Sequence, residues 1–158
     1  MGKRPRIEAV HTAISQLTRL CDLFAQRREQ LASSVGLTVG QWSVLEEIAT
    51  EQFMPSMFAK SEETSRAAVS KVIRQLLDRG LVHVAISAAD GRQREYALSA
   101  DGRALLDRLR SERERAIEAI WLRLDADGLS QFTTFGADLI GRIERYADLP
   151  PSAVDRTE

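Results

Sequence analysis

Residues 64–98 read TSRAAVSKVIRQLLDRGLVHVAISAADGRQREYAL, and this stretch decides the fold. Ser65 is placed to cap a helix, because its hydroxyl accepts a bond from a free N–H of the first turn. Arg79 and Gly80 end that helix, with a cation near its negative terminus and then a residue that takes the left-handed conformation without strain. The apolar residues of the helix recur at helical spacing: Val69, Val72, Ile73, Leu76 and Leu77. The pattern predicts an amphipathic helix whose exposed face is basic.

The second half of the stretch predicts a hairpin. Leu81–Ser87 and Arg94–Leu98 read as two short strands joined by a polar tip at 88–93, which contains Arg92. A basic helix followed directly by a hairpin with an arginine tip suits double-stranded DNA. The helix would enter the major groove, and the tip would reach the neighbouring minor groove.

The charge of the chain supports this interpretation locally. Residues 64–94 hold six basic and two acidic residues, a net charge of +4, whereas the whole chain has 22 Lys plus Arg against 23 Asp plus Glu. The clustering matters more than the total, because phosphate neutralisation and counterion release are local effects. The alternative interpretation is a solvated helix face beside an ordinary hairpin.

Composition excludes several classes of protein. A length of 158 residues with 44% hydrophobic residues predicts one domain with a buried core. The sequence lacks an apolar run of about 18 residues and an apolar signal-peptide core, so we expect no membrane contact and a cytoplasmic location. One cysteine and two histidines exclude an internal disulfide and a Cys/His zinc cluster. No nucleotide-binding or catalytic motif is found, so we predict no enzyme, no catalytic residue, no cofactor and no metal.

Helices are also predicted before this stretch. Arg6 to Ser34 reads as one long helix with a coiled-coil-like apolar stripe that is interrupted only by Arg28. The stripe consists of Ile7, Val10, Ile14, Leu17, Cys21, Phe24 and Leu31. Thr38 and Gln41 fit a capping box at the start of a second helix, which we expect to run to about residue 51. Pro55 fits the first position of a short helix to Glu63, which completes a helix-turn-helix with the basic helix.

Two further helices are predicted after the hairpin. Ser99 is placed to cap a helix from Ala100 to about Leu124, and Asp125 starts a last helix to about Tyr146. The last helix carries a second apolar stripe, made of Leu129, Phe132, Phe135, Leu139, Ile143 and Tyr146. Both end stripes are too long for one chain to cover economically, which favours pairing across a two-fold axis.

Three pieces of the sequence, in this order and spacing, resemble the MarR family of bacterial transcription regulators. They are Leu37-Thr38-x-x-Gln41-Trp42-x-x-Leu45, then Leu76-x-x-Arg79-Gly80-Leu81-Val82, then Asp90-x-Arg92-x-Arg94 followed by Leu98-Ser99-x-x-Gly102. The resemblance extends over roughly residues 10–146. It implies a mostly α fold with a small β-hairpin wing, in which a winged helix-turn-helix lobe is combined with a long-helix dimerisation region.

The resemblance also implies a division of the chain and a function. Residues 1–158 would form a single MarR-like domain, with dimerisation helices at 6–34 and 125–147, a DNA-binding lobe at 37–99, a connecting helix at 100–124 and a flexible tail at 149–158. Family members usually act as homodimers. They repress nearby genes and release a near-palindromic operator when a small, often aromatic, acid binds or a cysteine is oxidised.

Carried over by position, the DNA-binding residues are Ser65, Arg66, Ala67, Ala68, Ser70, Lys71, Arg74, Arg92 and Arg94. Arg66 is the candidate for a bidentate contact to a guanine. Arg92 matches the family's minor-groove arginine, and Arg94 would pair with Asp90 or touch a phosphate. Ser65 would contact a phosphate or a base edge unless its hydroxyl is occupied by the helix cap.

The effector is less constrained by the sequence. His11, Arg19 and Trp42 are candidate residues of the family's pocket between the DNA lobe and the dimerisation helices, because a cation beside an aromatic surface suits an aromatic carboxylate. The peroxide-sensing branch of the family places its cysteine at a position that matches Ile14. Cys21 lies two turns later, on the apolar stripe, so we predict a buried, unreactive cysteine. A redox sensor using Cys21 and a protein–protein adaptor that does not read DNA remain the alternatives.

Overall fold

The computed structural model describes residues 6–50, 53–86 and 94–148. Its elements are α1 (Ile7–Ser34), α2 (Val39–Ile48), α3 (Pro55–Ser61), α4 (Arg66–Asp78), β1 (Val82–Ile86), β2 (Arg94–Leu98), α5 (Ala100–Ala116), a π-helical turn (Ile117–Trp121) and α6 (Ala126–Ala147). The fold is the predicted one, mostly helical with a two-stranded antiparallel hairpin. The chain divides into two compact units, residues 1–113 and 114–158.

The predicted starts of α2, α4 and α5 are confirmed by side-chain caps. The Thr38 hydroxyl accepts a bond from the N–H of Gln41, and the Gln41 side chain accepts one from the N–H of Thr38, which completes the capping box. Ser65 and Ser99 cap α4 and α5 by accepting bonds from the N–H groups of Ala68 and Gly102, the third residue of each helix. Each of these bonds satisfies a donor that the helix itself leaves free.

Three helices of the first unit end in the same motif, and one of them breaks a local rule. Gly36, Glu63 and Gly80 follow α1, α3 and α4 with φ angles of +69°, +49° and +68°. In each case the next N–H donates to the carbonyl five residues earlier, as in a Schellman cap. Glycine adopts this conformation without strain, whereas a side chain with a Cβ does so at a cost. Glu63 is thus a strained residue in the turn before α4.

Replacement of Glu63 by glycine is therefore expected to stabilise the protein by about 1 kcal/mol, because it removes the left-handed strain. Urea unfolding followed by circular dichroism measures this change. The matched control is Gly80→Ala, which adds a Cβ at the equivalent cap of α4 and is expected to destabilise by a similar amount. A Glu63→Gly variant less stable than the parent would contradict the strain assignment.

One hydrophobic core lies within residues 31–109. Its buried members come from α1 to α5, from both strands and from the connections between them: Leu31, Ala32, Leu37, Trp42, Val44, Leu45, Ile48, Phe53, Phe58, Ala59, Val69, Ile73, Leu76, Leu81, Val82, Leu98, Leu106 and Leu109. Val69, Ile73 and Leu76 of the predicted α4 stripe are among them, and Val72 and Leu77 of that stripe are partly buried against the core. This core therefore holds α4 against α2, α3 and the hairpin.

The start of α5 approaches the hairpin so closely that only a glycine fits. A Cβ built on Gly102 would lie 2.1 Å from the carbonyl oxygen of Leu81. That oxygen already accepts a bond from the N–H of Ser99. This contact fixes the position at which the wing joins α5.

Some predicted boundaries are wrong. α5 ends at Ala116 rather than near Leu124, because the backbone widens into a π-helical turn, in which the N–H of Leu122 donates to the carbonyl of Ile117. The apolar spacing continues through this turn, so periodicity alone predicts one uninterrupted helix. α2 and α3 end two or three residues early, and β1 begins at Val82.

The flexible tail predicted at 149–158 lies outside the described residues, and the division into dimerisation helices, lobe and connecting helix remains a prediction. Within the described ranges, none of the helices is both long enough and apolar enough to cross a membrane.

Candidate nucleic-acid interface

The outer face of α4 is exposed and basic, as the sequence predicted. Every candidate DNA residue on this helix and its cap is exposed: Ser65, Arg66, Ala67, Ala68, Ser70, Lys71 and Arg74. The opposite face is fixed in the core by Val69, Ile73 and Leu76. Among the described residues, no acidic side chain forms an ion pair with Arg66, Lys71 or Arg74. The face therefore presents small side chains between three cations, with room for base edges and phosphates.

The cap residue Ser65 is partly occupied. Its hydroxyl oxygen accepts a bond of 3.1 Å from the N–H of Ala68, so the oxygen serves the helix. The hydroxyl hydrogen is left to donate, since a serine hydroxyl is both a donor and an acceptor. Ser65 therefore suits a phosphate oxygen better than a donor on a base.

Arg79 does not belong to the DNA-facing charge, although it was counted in the basic cluster. Its guanidinium donates to the carbonyl oxygen of Gly36 at 2.7 Å and, at 3.5 Å, to the side-chain oxygen of Gln41. It therefore joins the end of α4 to the end of α1. An arginine at a helix C-terminus has the same local sequence whether it contacts DNA or joins two helices. The sequence alone therefore did not distinguish these two roles of Arg79.

Gln41 is the centre of this polar network and is the one buried polar residue within the described ranges, at 8% exposure. Its amide donates to the side-chain oxygen of Gln75 on α4 at 3.1 Å. Its side-chain oxygen accepts hydrogen bonds from the N–H of Thr38 and from the guanidinium of Arg79. A satisfied buried polar network favours one arrangement of the elements it joins. The capping-box motif identified Gln41, but nothing in the motif indicated its partner on α4.

The hairpin that follows α4 is anchored by aromatic contacts. Its strands pair from Val82↔Leu98 to Ile86↔Arg94, so Arg94 stands at the end of the ladder nearest the tip and is exposed. Phe53 makes edge contacts to Phe58 and to Tyr96, each with ring centroids 5.7 Å apart. These rings join β2 to the start of α3. Arg92 and Asp90 lie outside the described residues, and so does the predicted pairing of Asp90 with Arg94.

The three candidate effector residues are not together within one chain. Trp42 is buried in the core. His11 and Arg19 are exposed on α1. They lie roughly 26 and 14 Å along the helix from Arg28 at a rise of 1.5 Å per residue. The cation at Trp42 is Arg28, whose guanidinium carbon lies 4.8 Å from the indole centroid.

Arg28 explains the break in the apolar stripe of α1. Its guanidinium donates to the Ser43 hydroxyl at 2.8 Å and lies 3.8 Å from the Glu46 carboxylate. Arg113 of α5 pairs with the same carboxylate at 3.6 Å. The indole N–H of Trp42 is buried without an acceptor in the described part of the chain. This cluster was not predicted, and the break in the stripe was the only signal for it.

Cys21 is exposed, and the prediction of a buried cysteine is wrong for the single chain. The apolar stripe around it is exposed too, because α1 buries only Leu31 and Ala32 against its own chain. The prediction assumed that apolar spacing alone reports burial, whereas the stripe has no cover in this chain. Within the described residues, no group of three or more His, Cys, Asp and Glu side chains is arranged to hold a metal ion.

The comparisons with known proteins agree with this geometry. Residues 35–93 match the sequence model of the MarR family. A MarR family transcription regulator of known crystal structure has a TM-score of 0.79 at 16% identity, over 91% of this chain and 96% of that chain. MarR of Staphylococcus aureus in complex with salicylate and kanamycin has a TM-score of 0.70 at 15% identity, over 87% and 94%.

A third similar structure contains nucleic acid. It is a mutant of S. aureus MepR bound to an oligodeoxyribonucleotide, with a TM-score of 0.56 at 17% identity, over 89% of this chain and 99% of that chain. Among curated protein sequences, none matches this chain. The resemblance to the MarR family is thereby confirmed, since residues 35–93 match the family's model and the chain has the fold of MarR-family transcription regulators.

Proposed function

We propose that this protein is a sequence-specific DNA-binding transcription regulator, a homodimeric repressor that releases a near-palindromic operator when a small molecule binds. The observation that carries the proposal is the exposed face of α4, where three cations free of acidic partners among the described residues alternate with small side chains. Lys and Arg at such spacing neutralise phosphates, and the small residues between them admit base edges. The DNA-bound MepR mutant, which has a similar fold, supports this use of the lobe.

Within this proposal, each element of the lobe has a separate task. Arg66, in the first turn of α4, donates two bonds to a guanine in the major groove. Lys71 and Arg74, further along the same face, contact the phosphates at the groove rims, as Ser70 does through its hydroxyl. Arg92 at the wing tip enters the minor groove and reads its width, and Arg94 contacts the backbone beside it.

The homodimer is supported by the apolar surface that each end helix leaves uncovered. On α1, six large apolar side chains are between 42% and 66% exposed: Ile7, Ile14, Leu17, Leu20, Leu23 and Phe24. α6 has no buried residue at all within the described part of the chain, and Phe132, Phe135, Ile143 and Tyr146 are exposed on it. We therefore assign 6–34 and 125–147 to dimerisation. Burial of these stripes would exceed about 2,000 Å² of interface, the size of an obligate contact.

The effector site is placed beside Trp42 in this proposal. Arg28, stacked on the indole, supplies a guanidinium for a carboxylate, and the unpartnered indole N–H supplies a second donor. His11 and Arg19 would take part only if a partner subunit brings its α1 to this point. The complex of S. aureus MarR with salicylate supports a small aromatic acid as the effector class.

The DNA-reading assignment is tested with duplexes selected from a random pool by the parent protein. Arg66→Ala is expected to cost about 1–3 kcal/mol on the selected site and to relax the preference at one base pair per half-site. Arg92→Ala is expected to weaken binding to every duplex and to reduce the salt slope by about one unit. Fluorescence-anisotropy titrations at several salt concentrations, with single-base variants of the site, measure both effects.

The matched control is Arg108→Ala, which removes an exposed arginine from α5, away from the α4 face. It should leave affinity and base preference as in the parent. If Arg66→Ala behaves like this control on every duplex, α4 does not read DNA, and the protein–protein adaptor becomes the better interpretation of the fold.

A further inference from the structure

Behind α4 the winged lobe contains a mostly apolar cleft, which shares only Ala68 with the candidate DNA face and only Ser43 with the Trp42 cluster. It has a volume of about 240 Å³ and lies between the start of α2, the end of α3 and the first half of α4. Its walls are mostly apolar, and five of its residues have large apolar side chains: Val39, Val44, Phe58, Val69 and Val72. Its volume is sufficient for a single ring with a short chain, since an enclosed apolar cavity of about 150 Å³ takes up benzene.

Gly40 is the one glycine in the lining of the cleft. It lines the cleft from the first turn of α2, and a Cβ built on it meets no atom within 4 Å. Its φ angle lies outside the left-handed region, so neither backbone conformation nor close packing requires a glycine here. Glycine within a helix costs about 0.5–1 kcal/mol relative to alanine. We expect a long side chain at this lining position, such as leucine, to occupy part of the cleft.

Glu62 determines which kind of ligand the cleft would accept. It is the single charged residue of the lining and is exposed at the end of α3, so its carboxylate lies at the rim. Apolar walls beside one carboxylate complement a ligand with an apolar body and one positive charge. An anion, including a carboxylic acid, would be repelled by Glu62 and would find no compensating cation in the lining.

We infer that this cleft binds a small arylalkylamine, whose ring packs among the valines and Phe58 and whose ammonium group pairs with Glu62. The ligand would also contact the side of α4 that faces the core, through Val69, Val72 and Ala68. Ala68 lies on the candidate DNA face as well. A ligand that binds the free form of the protein more tightly than the DNA-bound form lowers the affinity for DNA. DNA in turn lowers the affinity for the ligand, and by the same factor, because the coupling between two binding sites is reciprocal. This coupling, unlike the binding itself, rests on the proposed function.

The binding arm of the test needs no DNA. Calorimetric titrations of the full chain compare 2-phenylethylamine with 2-phenylethanol and phenylacetate, which share the ring but are neutral and anionic. We expect the amine to bind about 5-fold or more tightly than the alcohol, as a partly exposed ion pair allows, and the acid to bind weakest. Glu62→Gln should remove the preference for the amine and leave alcohol binding unchanged.

Gly40→Leu should fill the cleft and abolish binding of both amine and alcohol. Its control is Ala104→Leu, which places the same side chain at an exposed position of α5, outside the lining and outside the proposed dimerisation helices. The control should bind the amine as the parent does. The inference is overturned if phenylacetate binds as tightly as the amine, or if Gly40→Leu binds the amine with the parent's affinity.

The DNA arm measures the selected duplex with and without the amine. We expect the amine to weaken the parent's complex and to leave the Gly40→Leu complex unchanged; equal effects on both would overturn the coupling. If the parent selects no duplex, the proposed function fails, while the calorimetric arm still decides whether the cleft binds amines.

Discussion

Replacement of Gly102 by alanine is expected to destabilise the winged lobe by about 3 kcal/mol or more. The added Cβ would lie 2.1 Å from the carbonyl oxygen of Leu81 and 3.1 Å from its carbonyl carbon. Both are backbone atoms, so no side-chain rotation relieves the clash. A shift of that carbonyl would also weaken the bond it accepts from the N–H of Ser99, at the point where α5 leaves the hairpin.

Urea unfolding followed by circular dichroism measures this loss. Gly40→Ala is the matched control, because it adds the same methyl group to a helical glycine of the same unit in open space. The control should be as stable as the parent or more stable, by up to about 1 kcal/mol. A Gly102→Ala variant that unfolds at the parent's urea concentration would contradict the close approach of α5 to Leu81.

Replacement of Leu17 by aspartate is expected to dissociate the proposed dimer, with a dissociation constant about 1,000-fold higher. Leu17 lies in the middle of the α1 stripe and is 44% exposed in the single chain, so it contributes little to that chain's own core. In a two-fold dimer, each protomer would bury the introduced carboxylate without a partner. The dimer therefore pays the free-energy cost of burying an unpaired carboxylate twice, once for each protomer.

Sedimentation equilibrium measures the association. The parent should have twice the monomer mass of 17.6 kDa at micromolar concentration, and Leu17→Asp should have the monomer mass. Gln16→Asp introduces the same charge on the adjacent residue, about 100° around the helix, and should remain a dimer. A parent that sediments as a monomer would refute the dimer, whatever the variants do.

Local chemistry made the fold predictable. The side chains of Thr38, Ser65 and Ser99 were predicted to cap helices and Asp125 to start one, and each accepts a bond from the first turn of its helix. Each capping bond joins residues that are three positions apart, so the sequence around a helix start is enough to predict it. The π-helical turn at 117–121 was missed because it alters the number of residues per turn without a glycine, a proline or a change of apolar spacing.

The candidate site was predictable only in part, because residue type does not specify distance. The exposed face of α4 follows from its own periodicity. The partners of Arg79 and Arg28 do not, because Gly36 and Ser43 lie 43 and 15 residues away along the chain. The same limit affects His11, Arg19 and Trp42: their chemistry suits one ligand, but within one chain two of them are exposed on α1 and the third is in the core.

The exposed face of α4 is central to this account, and one titration tests it most directly. The parent and a triple variant, Arg66→Ala with Lys71→Ala and Arg74→Ala, are titrated with the duplex that the parent selects. Three lost contacts at about 1–3 kcal/mol each predict that the triple variant binds at least about 100-fold more weakly, with the same unfolding midpoint as the parent. A triple variant that binds the selected duplex within threefold of the parent would contradict the assignment of α4 as the DNA-reading helix.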